Sequence, residues 1–118
     1  MPANSPGYLV RRAAEAPTVQ CPCGDSTRVL TATDGAPCSL HVTSITDATR
    51  HYHRNTTEVY YILAGTGKME LNGDWVDVEP GTVVWVEPGT RHRLVSSAEV
   101  STIVFALPGF QPGDEFFD

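Results

Sequence analysis

At 118 residues, 41% hydrophobic and 19% charged, the chain has the length and composition of one folded globular domain. A formal net charge of −6 excludes a general nucleic-acid binder, because no basic stripe is present to neutralise phosphates. No apolar run approaches the ~20 residues of a membrane helix, and residues 1–16 do not read as a secretory signal, so a cytoplasmic location without a membrane partner is expected.

Residues 1–24 carry Pro2, Pro6, Pro17 and Pro22 with few apolar periods, and are expected to form a mostly irregular arm with a helical turn near 11–16. Arg11 and Arg12 read as solvated charges. Cys21, Cys23 and Cys38 are odd in number and suit a reducing compartment; one residue between Cys21 and Cys23 is not the C-x-x-C spacing, so they read as ordinary, non-ligating cysteines.

From residue 25 the texture becomes short β-rich runs punctuated by turns, at 27–31, 38–46, 58–64, 67–71, 75–78, 82–86, 92–96 and 100–107. Asn72-Gly73 supplies the positive φ values of a tight hairpin, while Glu79-Pro80-Gly81 and Glu87-Pro88-Gly89 bracket an apolar strand. With no long amphipathic helix, the expectation is an all-β antiparallel sandwich or small barrel over 25–107, followed by a tail at 108–118. That tail holds Phe110, Phe116 and Phe117, which can cover the barrel's own edge or a neighbour.

The polar residues fall into a pattern. In an extended segment His51 and His53 share a face. Glu58, Tyr60 and Ile62 share one face of the next run, and His92 shares a face with Leu94 after the Pro-Gly turn. Three imidazoles and a carboxylate make a nitrogen- and oxygen-rich donor set suited to iron, manganese, nickel, cobalt or zinc, without the thiolates of a structural zinc site. Exposed loop histidines are the alternative. Tyr60 reads equally as a pocket hydrogen-bonding group or as core, and Trp85 as core or pocket wall. A lone His41 reads as structural or exposed. Arg91 and Arg93 are expected to face away from His92.

These residues resemble the two motifs of the cupin superfamily. The spacing His51-x-His53-x4-Glu58-x6-Gly65 is similar to the first motif, and Gly81-x5-Glu87-x-Gly89-x2-His92-x3-Ser96 to the second. Ile45, Glu87 and Ser96 stand where the motifs have glycine, proline and asparagine. The resemblance spans about residues 27–107. It implies a cupin-type double-stranded β-helix, a jelly-roll-like barrel of two antiparallel sheets, with His51, His53, Glu58 and His92 as ligands of one divalent transition metal, iron or manganese foremost.

Such a family includes dioxygenases, isomerases, lyases and pure binders. The expected function is a small metalloenzyme acting on a small oxygen-bearing substrate, of dioxygenase, isomerase or lyase type. A non-catalytic small-molecule-binding or sensor protein is the alternative. A homodimer is expected.

Overall fold

A computed structural model describes residues 6–21 and 23–118. Its described residues form eight strands: β1 (Thr18–Cys21), β2 (Gly24–Leu30), β3 (Ser39–Asp47), β4 (Thr57–Ala64), β5 (Gly67–Leu71), β6 (Asp74–Val78), β7 (Val83–Val86) and β8 (His92–Leu107). All pairings are antiparallel, in the order β1-β2-β3-β8-β4-β7, while β5 joins β6 to the first part of β8. The all-β jelly-roll-like barrel expected from the sequence is therefore present.

Two expected strands, at 92–96 and 100–107, are one. No glycine or proline interrupts residues 92–107, so the chain stays extended throughout. The start of β8 pairs with β5, and its later part lies between β3 and β4. This single strand ties the two layers of the barrel together.

Turn chemistry sets the register. Asn72 and Gly73 have φ of 52° and 93°, the two successive positive values of a tight hairpin, and fix Leu71 opposite Asp74. Alternation then sorts the side chains. Glu58, Tyr60 and Ile62 face inward on β4, whereas Tyr61 and Leu63 face out. Ile45, Ile62, Met69, Leu94 and Val100 fill the core at 1% exposure or less.

Several expectations need correction. β1 pairs with β2, so the sheet begins inside the stretch expected to be mostly irregular. Arg11 is not solvated alone: it donates to Asp34 Oδ2 at 2.9 Å and to the Val29 carbonyl at 2.9 Å. Cys21 and Cys23 form a disulfide across the β1–β2 turn, where their Cα atoms are 5.1 Å apart, and Cys38 is free. Trp85 is neither core nor pocket wall. It is 67% exposed, because Val84 and Val86 take the inward positions of β7.

Candidate metal centre

His51 and His53 lie in an extended segment held on both sides. His51 N–H donates to the His92 carbonyl at 3.1 Å, and His92 N–H returns a bond to the His51 carbonyl at 2.9 Å. Tyr52 exchanges a similar pair of bonds with Phe116. The two-residue period therefore turns both imidazoles inward and Tyr52 outward, where its ring stacks on Phe116 and carries the Arg91 guanidinium at 3.5 Å. Gly89 N–H donates to the His53 carbonyl at 2.7 Å, locking the Glu-Pro-Gly turn ahead of His92 against the same segment. Glu58 enters from the inner face of β4.

The four side chains meet. One donor atom from each of His51, His53, Glu58 and His92 lies within 4.8 Å of the others, and all four residues are buried. Donors sharing an ion at about 2.1 Å stand ~3–4 Å apart, so the grouping is near that of a filled site.

The imidazole orientations carry more information than their proximity. Each Nδ1 lies against a main-chain oxygen: His51 on Thr49 and His92 on Thr90 at 2.8 Å, His53 on Asp114 at 2.7 Å. A neutral imidazole with its proton on Nδ1 presents a lone pair on Nε2, so all three rings can offer Nε2 to a common point. His53 Nε2 is buried and lacks an aligned hydrogen bond, although Glu58 Oε1 is 3.1 Å away. His92 Nε2 lies 3.0 Å from the same oxygen. An orphaned buried nitrogen beside a carboxylate and two more imidazoles fits a divalent first-row metal.

The electrostatics favour the ligand forms of two of these groups. Burial pushes His51 down to about 4. Burial disfavours the Glu58 carboxylate, but His53 and His92 outweigh it and hold the acid well below the usual carboxylate range. Burial also disfavours charge on His53, yet Glu58 and the Asp114 carbonyl raise its pKa. A proton on His53 is the one a metal would displace.

A cavity of about 40 Å³ adjoins the cluster, lined among others by Cys21, Cys23, Ser26, Arg28, His41 and Tyr60. Tyr60 is buried, with its ring 5.9 Å from that of His92, and burial raises its pKa. His41 is buried in this wall, and burial lowers it to about 4. Arg91 and Arg93 do point away from His92: Arg91 binds Asp118 at 2.9 Å and Arg93 binds Asp47 at 2.7 Å.

Sequence reasoning missed Asp114. Its buried carboxylate accepts from the main-chain N–H groups of Arg54 and Asn55 and from the Thr56 hydroxyl, at 2.9–3.2 Å. It thus clamps the loop between His53 and Glu58, while its own carbonyl receives His53 Nδ1. No local pattern links positions 61 residues apart. Ser26 and Arg28 were missed too; alternation along β2 is the signal that would have found them.

The family model for the cupin domain matches residues 32–107. Over 73 residues the chain is 37% identical to a glucose-6-phosphate isomerase of Thermococcus onnurineus, a match covering 56% of this chain and 39% of that one. An L-ectoine synthase of Halomonas elongata is 32% identical over 90 residues, covering 72% and 65%. The chain thus spans about two-fifths of the length of such isomerase relatives. A solved protein of Planctomyces limnophilus superimposes with a TM-score of 0.85 at 34% identity, covering 98% of this chain and all of the other.

Proposed function

The chain belongs to the cupin domain family, and from that premise we propose that it is a metal-dependent enzyme acting on a small oxygen-bearing substrate. The observation that carries this reading is the common orientation of three imidazoles, each held by a main-chain oxygen, around the ionised Glu58. His51, His53, Glu58 and His92 would hold one divalent ion, with iron or manganese the favoured occupants. When bound, such an ion supplies Lewis-acid polarisation of a substrate oxygen.

The protein's own groups handle orientation and protons. Burial keeps the Tyr60 hydroxyl protonated, so it serves as a hydrogen-bond donor in the cavity wall. Neutral His41, on the other side of β8 from Tyr60 in the same sheet, offers an acceptor for a proton. A donor and an acceptor flanking one small cavity support isomerisation or elimination, in which a proton leaves one carbon or oxygen and returns elsewhere. The likeness to an isomerase and a synthase agrees with that class.

Two copies are proposed to pair through the outer face of β4 and β7, where Tyr61, Leu63, Val83 and Trp85 are exposed. Light scattering on the purified protein reads that mass directly.

The reaction class is tested by incubating Mn(II)- or Fe(II)-loaded protein in deuterated water with small hydroxy and keto compounds. Solvent deuterium entering a C–H position, lost in Tyr60→Phe or His41→Gln, is the expected result. Oxygen consumption without exchange would move the protein to oxidation, and neither signal would leave a non-catalytic binder.

A further inference from the structure

Part of the cavity wall is built from two registered pairs. Ser26 on β2 stands opposite Thr43 on β3, and Arg28 opposite His41. Because alternate residues share a face, all four direct their side chains into the cavity they line together with His51, His53 and Glu58. Two of the four have unmet hydrogen-bonding capacity. Ser26 Oγ is buried without a partner among the described residues, in a residue 1% exposed, and Arg28 Nε is buried without one as well. Thr43 is satisfied by the Thr102 hydroxyl.

Among the described residues Arg28 and Arg54 are the cations without an ion pair, and Arg54 is exposed whereas Arg28 lines the cavity. Acidic residues outnumber lysine and arginine by 14 to 8. Arg11, Arg50, Arg91 and Arg93 each hold a carboxylate. Arg28 holds none among the described residues; its guanidinium lies 5.2 Å above the Phe110 ring. Glu115, half-buried and lining the same cavity, feels the Arg28 charge but lies beyond ion-pair distance of it. A guanidinium without an ion pair, beside a buried hydroxyl also lacking a partner, is an incomplete site, because a buried donor left unmet is unfavourable.

We propose that Ser26 and Arg28 form the carboxylate-binding half of the ligand site, and that the ligand is a two- or three-carbon hydroxy or keto acid. The planar guanidinium donates to the carboxylate, Ser26 Oγ donates to one of its oxygens, and the neighbouring hydroxyl or carbonyl is directed towards the His51–His53–Glu58–His92 cluster. Size separates this ligand from larger ones. The cavity of about 40 Å³ is small, which favours a short acid over a hexose phosphate. This inference names the substrate class for the function proposed above and rests on that reading for the role of the metal.

The test is calorimetric titration of Mn(II)-loaded protein with glycolate and with its uncharged isostere glycolamide, the metal content of each sample being measured in parallel. Glycolate is expected to bind saturably, with glycolamide at least ~10-fold weaker. Arg28→Gln is expected to lower glycolate affinity by ~10-fold or more with metal content unchanged, and Ser26→Ala to lower it by a smaller factor. If Arg28→Gln loses its β-type circular dichroism, Arg28→Lys, which keeps the charge without the fork, gives the same comparison with a partial loss. Equal binding of the two compounds, no saturable binding of either, or glycolate binding insensitive to Arg28 and Ser26 overturns the proposal. So does inorganic phosphate binding through Arg28 in place of glycolate. Metal bound without Arg28-dependent glycolate binding defeats this inference alone. Arg28-dependent binding to protein that takes up no metal defeats the metal reading alone.

Discussion

The main-chain oxygen of Asp114 accepts a 2.7 Å hydrogen bond from His53 Nδ1, while the carboxylate of Asp114 gathers the loop that follows His53. One residue of the C-terminal tail therefore sets both the tautomer of a candidate ligand and the path of the chain to Glu58. Removing the carboxylate leaves two main-chain N–H groups and a hydroxyl without their acceptor. Asp114→Ala is expected to cost roughly 2–3 kcal/mol in urea unfolding and to weaken metal binding ~10-fold or more. A variant equal to wild type in both measurements would show that the clamp is incidental.

The same residue predicts an acid response. Asp114 is buried, which by itself disfavours its charge, but hydrogen bonds from Arg54, Thr56 and Asn55 outweigh that and lower its pKa below the ordinary 3.8. A depressed folded-state pKa contributes stability that is present above 3.8 and lost as pH falls through the folded value. Melting temperature is therefore expected to drop below about pH 4 in wild type, with a shallower slope over that range in Asp114→Asn. Parallel slopes would assign the acid sensitivity to other carboxylates.

Two glycines with positive φ separate backbone preference from steric approach. Gly65 has φ of 85°, and a Cβ there would sit 2.5 Å from the Glu99 carbonyl oxygen; Gly73 has φ of 93° with open space around it. Gly73→Ala is expected to cost about 1–2 kcal/mol, the penalty of the left-handed region. Gly65→Ala adds a collision with main chain and is expected to cost at least ~1 kcal/mol more. Denaturant midpoints of the two variants give the comparison, and equal losses would contradict the close approach of β8 at Glu99.

Local chemistry made much of the architecture legible. Asn72-Gly73 announced the β5–β6 hairpin, the two Glu-Pro-Gly turns bracket β7, and alternation correctly put Glu58, Tyr60 and Ile62 on one face and His92 with Leu94 on one face, both inward. The His51, His53, Glu58 and His92 set was implied by the resemblance to the two cupin motifs, and the structure brings these four together. What stayed hidden depends on pairing between distant segments. β1 is recognisable only through its partner β2, the merging of two runs into β8 depends on the strands it bridges, and Trp85 faces out because β7 has a register that its apolar sequence does not reveal. Asp114 reaches the site through tertiary placement alone, whereas Ser26 and Arg28 share a face by the alternation of β2.

Metal occupancy tests the central claim most directly. Wild type, His53→Ala and Glu58→Gln are purified without chelator, exposed to Fe(II) or Mn(II), desalted, and analysed for metal per chain alongside their circular dichroism. About one ion per chain in wild type, falling at least ~10-fold in both variants with the β-sheet signal retained, is the expected result. Wild-type protein that retains no more metal than His53→Ala would contradict it.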